Sequence, residues 1–449
     1  MANHKNAVLI IADDWGLIAD AYGDRVISTP HIDAFARRAL TFDHAFCTSP
    51  SCAASRACIL TGLHSHTHGQ YGHCHDQEPF RTRSGVATVP KVFSDAGLFS
   101  GIVGKSHVAP MESYPFAYQE IGHVYDLHRL RRSTAGFFAE CGQRNFYLHV
   151  AFGDPHRRGP DHGFRNDFEI EGFDPPRYEP ERVPVPGFLP DEIEVRRDLS
   201  QYYEAISRFD HGVGLVLEEL KKAGREKDTM VIVTSDHGMP FPGAKASSFD
   251  SGHHCPFLID TPDLANRGGR HRALMNWVDI APTLYDWCGV PQPAGLQGRS
   301  LLPILDHPDA PGWDETFLSH TFHEVRNYNP YRILRGRRYK FIYHCAPELP
   351  SPLPTDLFRS PTWQCIKNKG LPLMGKRPTE KFLRREAMNL FNMEEDPFET
   401  ENLAGSAAYR GLVLDYSRRL FEFCLKTGDP WMEIPFQKGH LDIDPLTCQ

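Results

Sequence analysis

The sequence predicts an α/β protein, with a large, mostly parallel sheet flanked by helices and a smaller C-terminal α+β subdomain. Three observations carry this expectation. Uninterrupted apolar runs recur at residues 7–12 (AVLIIA), 146–152 (FYLHVAF) and 230–234 (MVIVT), and such runs suit strands covered on both faces. Segments with helical periodicity and helix-start residues separate them. Each run is followed by acidic or imidazole side chains, and in open α/β sheets ligands bind beyond the carboxyl ends of strands.

Taken in order, residues 7–12 are the first strand. Thr29 and Pro30, an N-cap and a proline at the first helical position, open a helix over 31–40. Thr88 and Pro90 open another over 91–96, which Gly97 ends, and residues 98–103 form a weaker strand. After the strand at 146–152, residues 157–197 are rich in Pro, Gly and charge without a period and read as a long functional loop. Across 198–223, Ile206, Phe209, Val213, Val216, Leu217 and Leu220 form one apolar helical face. A strand at 230–234 and a helix over 275–288 follow. Residues 339–343 read as a strand, 347–354 and 361–378 as irregular, and 412–425 as a final amphipathic helix. This divides the chain into a main domain, 1–330, and a subdomain, 331–449, with a small sheet and a terminal helix.

Composition narrows the function classes. Hydrophobic residues are 41% and charged residues 24% of 449, ordinary for a globular protein with a large core. The net charge of −8 disfavours a chain built to coat nucleic acid. Eleven cysteines, an odd number at irregular spacing, suit a reducing compartment. No apolar stretch is long enough to span a membrane, and the 7–12 run is too short for a signal-peptide core, so a cytoplasmic location is expected.

The strand ends carry the chemistry. Asp13 and Asp14 follow the first run, Asp154 and His156 the run at 146–152, and Asp236 and His237 the run at 230–234. Aspartate often caps the turn after one strand, but three strands together point to a metal site. Asp13, Asp14, Asp236 and His237 are mostly hard oxygen donors, suited to Ca²⁺ or Mg²⁺, with Mn²⁺ admitted by the imidazole. Residues 51–62 (SCAASRACILTG) read as a short helix over 53–61 closed by Gly62. Cys52 then sits at the helix N-terminus, where negative charge is favoured, and Arg56 lies one turn later on the same face. A nucleophile beside a guanidinium suits an oxyanion ester, whereas a lone cysteine there is more simply a small buried residue. His73 and His75 flank Cys74 and read as a polar loop.

Cys-x-Ala-Ser-Arg followed by Leu-Thr-Gly resembles the sulfatase signature, in which the cysteine is converted to formylglycine. Asp13-Asp14, Gly104-Lys105-Ser106-His107, Asp154-Pro155-His156, Ser235-Asp236-His237-Gly238, Asp279-Ile280-Ala281-Pro282-Thr283, Asp396-Pro397 and Asn402-Leu403 follow the family order over nearly the whole chain. Within the family, Thr29-Pro30-His31, the segment 150–157 (VAFGDPHR), Pro240-Phe241-Pro242 and His323-Glu324-Val325 are most similar to the sulfamidase (heparan N-sulfatase) branch. The resemblance implies an alkaline phosphatase-like fold with residues 1–330 as the catalytic domain, and hydrolysis of a sulfamate or sulfate ester of an N-sulfoglucosamine-type sugar. It implies one divalent cation, Ca²⁺ ahead of Mn²⁺ or Mg²⁺, held by Asp13, Asp14, residue 52, Asp236 and His237. Cys52 would become the formylglycine nucleophile, which requires a formylglycine-generating enzyme as partner. Arg56, Lys105 and Lys245 would add positive charge around the oxyanion, His107 would support the formylglycine hydrate, and His156 would be the general acid. Arg157 and Glu324 are candidates for gripping sugar hydroxyls or an anionic neighbour, and each reads equally well as a loop salt-bridge residue; a homodimer is expected on the resemblance alone.

The chain departs from the family pattern at Ala54, where Pro is common, at His237, where several relatives have Asn, and at Lys245, where Arg is expected. The competing readings are an O-sulfatase, a phosphonate or phosphate diester hydrolase of the same superfamily, and a non-catalytic binder of sulfated glycans.

Overall fold

In the computed structural model, which describes residues 5–432 apart from 76, 123–124, 159–161, 167–169 and 171, eight strands form one sheet. They are β1 (Asn6–Ala12), β2 (Leu40–Phe46), β3 (Phe99–Gly104), β4 (Tyr118–Ile121), β5 (Phe146–Ala151), β6 (Thr229–Ser235), β7 (Phe257–Asp260) and β8 (Arg270–Asn276). Their order across the sheet is β4-β3-β5-β1-β6-β7-β2-β8. Every pairing is parallel except those of β7, which runs antiparallel to β6 and β2.

β1 is the axis of the fold. All seven of its residues are buried. Val8, Ile10 and Ala12 join the core beneath the long helix Ile193–Lys222, and Ala7, Leu9 and Ile11 join the core on the opposite face, with the helix Ile280–Cys288. The continuous apolar run is thus explained by burial on both faces. Register pairs Ile11 with Ala151 and Ala12 with Ser235, so β1, β5 and β6 end level and release their next residues at one edge.

The sequence expectations shift in four places. The helix expected over 31–40 ends at Ala36, because Leu40 enters β2 and pairs with Ile259 of β7. The helix expected over 275–288 starts only at Ile280, because Met275 and Asn276 complete β8 beside β2. The long loop ends at Ile193, where the long helix starts five residues before the expected 198. Within the stretch expected to be irregular, Pro361–Lys369 is a helix whose Ser360 hydroxyl accepts from the Trp363 N–H.

A second, antiparallel sheet comprises Glu315–Phe322, Tyr328–Gly336, Tyr339–His344 and Met388–Asn392, covered by the helix Arg410–Lys426. It begins at Glu315, ahead of the boundary expected at 331, since its first strand pairs with Tyr328–Gly336. The end of the expected subdomain, from 433, lies outside the described residues. No helix among the described residues is long and apolar enough to cross a membrane.

Candidate active site

The level ends of β1 and β6 bring Asp13, Asp14, Asp236 and His237 together. Asp14 adopts φ 71°, a left-handed conformation costly for a non-glycine residue, and this turns its carboxylate back toward β6. Its N–H donates to Asp236 Oδ1 (3.0 Å), which also accepts from the His237 N–H (2.9 Å). Asp236 Oδ2 accepts from Arg56 Nε at 3.0 Å, and Arg56 Nη2 lies 2.9 Å from the same oxygen. Arg56 also faces Asp13 Oδ1 at 3.5 Å. The guanidinium is fully buried and is used to hold carboxylates.

Cys52 opens the helix Cys52–Thr61, after the extended Ser51, and is fully buried. Its Sγ lies 3.2 Å from His237 Nε2. Asp13, Cys52 and Asp236 offer donor atoms within 4.8 Å of one another, as do Asp14, Cys52 and His237. Asp154, by contrast, is consumed by Arg208, which donates to both carboxylate oxygens at 2.6 and 2.8 Å.

The donor atoms left over fit a cation. Asp13 Oδ2 accepts from Lys105 and Asp14 Oδ2 accepts from Lys245 (2.9 Å), leaving Oδ1 of each buried without a hydrogen bond. His237 Nε2 approaches Asp14 Oδ1 to 3.0 Å but off the line of a hydrogen bond. His237 Nδ1 donates its N–H toward the Gly238 carbonyl at 3.0 Å, which leaves Nε2 as the ring atom directed at the carboxylates. Burial and the neighbouring Asp13 push the Asp236 carboxyl up to about 7. Burial lowers the basicity of His237, but Asp236, Cys52 and Asp14 outweigh it and push its pKa up to about 10. Arg56, Lys105 and Lys245 already pair with these carboxylates, so the fit to a divalent cation rests on the unbonded Oδ1 atoms of Asp13 and Asp14 and on His237 Nε2, where a cation would replace the proton.

A cavity of about 900 Å³ opens over this cluster, lined among others by His73, Lys105, His107, His156, Glu324 and Asp356. His107, at φ 52°, has a ring nitrogen within 4.8 Å of both Cys52 Sγ and a ring nitrogen of His73. Its ring stacks on His75, centroids 5.1 Å apart. His156 donates Nδ1–H to the Arg157 carbonyl, which aims Nε2 at two carboxylates, Asp14 Oδ2 and Asp356 Oδ2, each 3.8 Å away. Lys245, at the heart of the site, bridges Asp14 and Asp356 at 2.9 Å each. Burial pulls the Cys52 thiol up, but Lys245, Lys105 and His237 outweigh it and hold it well below its usual range.

One sequence expectation changes here and another gains a role. Arg157 does not line the cavity. It is buried, paired with both oxygens of Asp198 at 2.7 Å, donates to the Pro240 carbonyl, and lies between the Phe164 and Phe241 rings, each centroid 4.6 Å from the guanidinium carbon. It is a structural cation, because a loop rich in charge folds it inward rather than toward solvent. His73 and His75 do lie in a polar loop, and that loop forms part of the cavity wall, with His73 against His107 and His323 at centroid distances of 4.7 and 4.1 Å. Glu324 does line the cavity, where it holds the Thr355 N–H (2.9 Å) and Thr355 hydroxyl (2.7 Å). The sequence reading missed His323 and Asp356. Ser51 Oγ lies 3.0 Å from His323 Nδ1, which ties the cavity wall to the residue before Cys52.

Comparison with known proteins agrees with this geometry. The sulfatase family model matches residues 5–290, and the model of the N-sulphoglucosamine sulphohydrolase C-terminal region matches 244–349. The chain is 36% identical to human N-sulphoglucosamine sulphohydrolase over 97% of this chain and 92% of that protein. A solved structure in complex with its substrate D-glucosamine-2-N,6-O-disulfate superposes with a TM-score of 0.70 at 19% identity, covering 95% of this chain and 99% of the other. The phosphonate monoester hydrolase of Agrobacterium radiobacter superposes with a TM-score of 0.70 at 18% identity, covering 94% and 96%. The last two establish the alkaline phosphatase-like fold, and the family model together with the full-length likeness establishes that the chain belongs to the sulfatase family.

Proposed function

We propose that the protein hydrolyses the N–S bond of an N-sulfated glucosamine-type sugar, releasing inorganic sulfate. The observation that carries this reading is His156, held through Nδ1 so that Nε2 faces the cavity beside Cys52, where a proton for a leaving nitrogen is required. The full-length likeness to an N-sulphoglucosamine sulphohydrolase supports it. An amide anion leaves poorly, so a sulfamate needs this proton more than an aryl sulfate does.

Asp13, Asp14, Asp236, His237 and residue 52 would hold one divalent cation, which supplies positive charge to the sulfuryl oxygens and lowers the pKa of the attacking hydroxyl. The hard-oxygen majority of that set favours Ca²⁺ over Mn²⁺ or Mg²⁺. Formylglycine at position 52, made by a formylglycine-generating enzyme, supplies a geminal diol as nucleophile. The chain's own residues do the rest. Lys105 and Lys245 place two ammonium groups beside the reacting centre, each anchored to a carboxylate. His107 presents a ring nitrogen to residue 52 and can take its proton.

The test is sulfate release, read by ion chromatography, from matured protein given N-sulfoglucosamine and glucosamine 6-O-sulfate in parallel. Release from the N-sulfated sugar is expected. Release from the O-sulfate alone would overturn the reading in favour of an O-sulfatase. Release from neither, with conversion of Cys52 verified by mass, would move phosphonate diesters to the front.

A further inference from the structure

Asp356 belongs to no motif of the sequence, yet the fold inserts it into the reacting cavity. It sits in the short helix Thr355–Phe358, at the end of an irregular stretch. Glu324 clamps the preceding residue through the Thr355 N–H and hydroxyl, and Arg326 also reaches that hydroxyl. The Asp356 side chain is 15% exposed and lines the cavity beside His156. Oδ1 accepts from the Leu357 N–H at 2.8 Å, and Oδ2 accepts from Lys245 at 2.9 Å. A carboxylate has about four lone-pair positions, so each oxygen keeps one for a ligand in the cavity.

Asp14 and Asp356 stand equally far, 3.8 Å, from the His156 nitrogen that faces the leaving group. Asp14 belongs to the cation-binding set, which leaves Asp356 as the carboxylate free to meet the substrate. A sulfamate differs from a sulfate ester at one atom. Its bridging nitrogen carries an N–H, and the product amine becomes an ammonium. The ester's bridging oxygen has only lone pairs, which a carboxylate repels. A site that hydrogen-bonds a substrate N–H rejects the analogue lacking it strongly, because its own polar group is then left unpaired.

Resting on the N–S hydrolase reading above, we propose that Asp356 is the specificity-determining residue that selects nitrogen over oxygen as the leaving atom, by accepting a hydrogen bond from the sulfamate N–H and pairing with the product ammonium. The Glu324–Thr355 clamp holds that carboxylate in place.

The test compares matured wild-type protein with Asp356→Asn on N-sulfoglucosamine and 4-nitrophenyl sulfate. Loss of the Lys245 partner lowers kcat/KM for both substrates by a common factor. The expected result is a further tenfold to hundredfold loss on the N-sulfated sugar alone, about the strength of one hydrogen bond to a charged group. Equal losses on the two substrates would overturn the proposal and leave Asp356 as a support for Lys245. An independent readout is calorimetric binding of D-glucosamine against D-glucose, which needs no turnover. Wild type is expected to prefer the ammonium sugar at least tenfold, and Asp356→Asn to lose that preference. A preference retained in the variant would also overturn the proposal. If wild type releases no sulfate from N-sulfoglucosamine, the functional reading fails on that result, while the calorimetry still decides what Asp356 recognises.

Discussion

Replacing Arg157 with Met should unfold the protein more easily and leave substrate binding alone. The arginine is 2% exposed and makes two 2.7 Å bonds to Asp198, with further bonds to the Pro240 (2.7 Å) and His162 (3.1 Å) carbonyls. Methionine keeps the stem between Phe164 and Phe241 but strands the Asp198 carboxylate, whose remaining side-chain partner is the Thr362 hydroxyl at 2.6 Å. Breaking one side of a buried ion pair costs about 3–5 kcal/mol. The two orphaned carbonyls add about 1 kcal/mol each at most, since movement or water relieves part of that cost. The expected destabilisation is therefore about 3–7 kcal/mol, read as a lower urea midpoint at unchanged slope. Arg157→Met/Asp198→Asn removes the stranded charge and should recover about 2 kcal/mol or more, a coupling that only a direct pair produces. KM of the folded fraction should stay within about twofold of wild type, as expected for a group outside the cavity. An unchanged midpoint with a KM raised tenfold would refute the assignment and return Arg157 to the substrate.

Three further outcomes follow from the same geometry. Asp154→Asn should cost about 3 kcal/mol of stability through Arg208 while preserving the rise in unfolding temperature that Ca²⁺ produces, because Asp154 is outside the cation set. Chelation should lower the unfolding temperature of wild type and Ca²⁺ should restore it, whereas Asp14→Asn should respond weakly to either, in a thermal melt at fixed protein concentration. Asp429 anchors the segment after the last helix to Arg332. Burial raises its carboxyl, but Arg332 outweighs burial and holds it below the ordinary range. Its stabilisation is thus complete above the unfolded-state value of about 3.9 and is lost as pH falls through the lower folded-state value. The stability advantage of wild type over Asp429→Asn, measured by urea unfolding, should be flat above about pH 5 and shrink toward pH 3.

The sequence made the catalytic floor of the site legible, together with Lys105, His107, His156 and Glu324 of its walls, but not the rest of the walls. Asp13, Asp14, Asp236 and His237 follow buried strands, so apolar runs alone place them at one sheet edge, and Cys52 is marked by the helix that Gly62 closes. What the runs could not convey was partner choice. Asp154 and Asp236 follow strands in the same way, yet one pairs with Arg208 on the long helix and the other with Arg56 beside the nucleophile. The sequence leaves Arg157 open between a ligand grip and a loop salt bridge, because a charged loop residue has no periodicity to reveal that Asp198 waits beneath it. His73, His323 and Asp356 come from three separated segments, and only tertiary packing brings them to one cavity. The edge elements were misjudged for a related reason. Residues 40–46 carry an alternation too weak to separate a strand from a helix end, and β7 and β8 decide the matter by pairing.

The central claim is that His156 delivers a proton to a leaving nitrogen from a formylglycine-bearing floor. His156→Gln in fully matured protein tests it most directly, with kcat measured on N-sulfoglucosamine and on 4-nitrophenyl sulfate, whose phenolate leaves without help. The expected loss is about 10²–10⁴-fold on the sulfamate, the usual worth of a general acid, and far smaller on the aryl ester. Equal losses on both would contradict it and make His156 a structural support for the cavity wall.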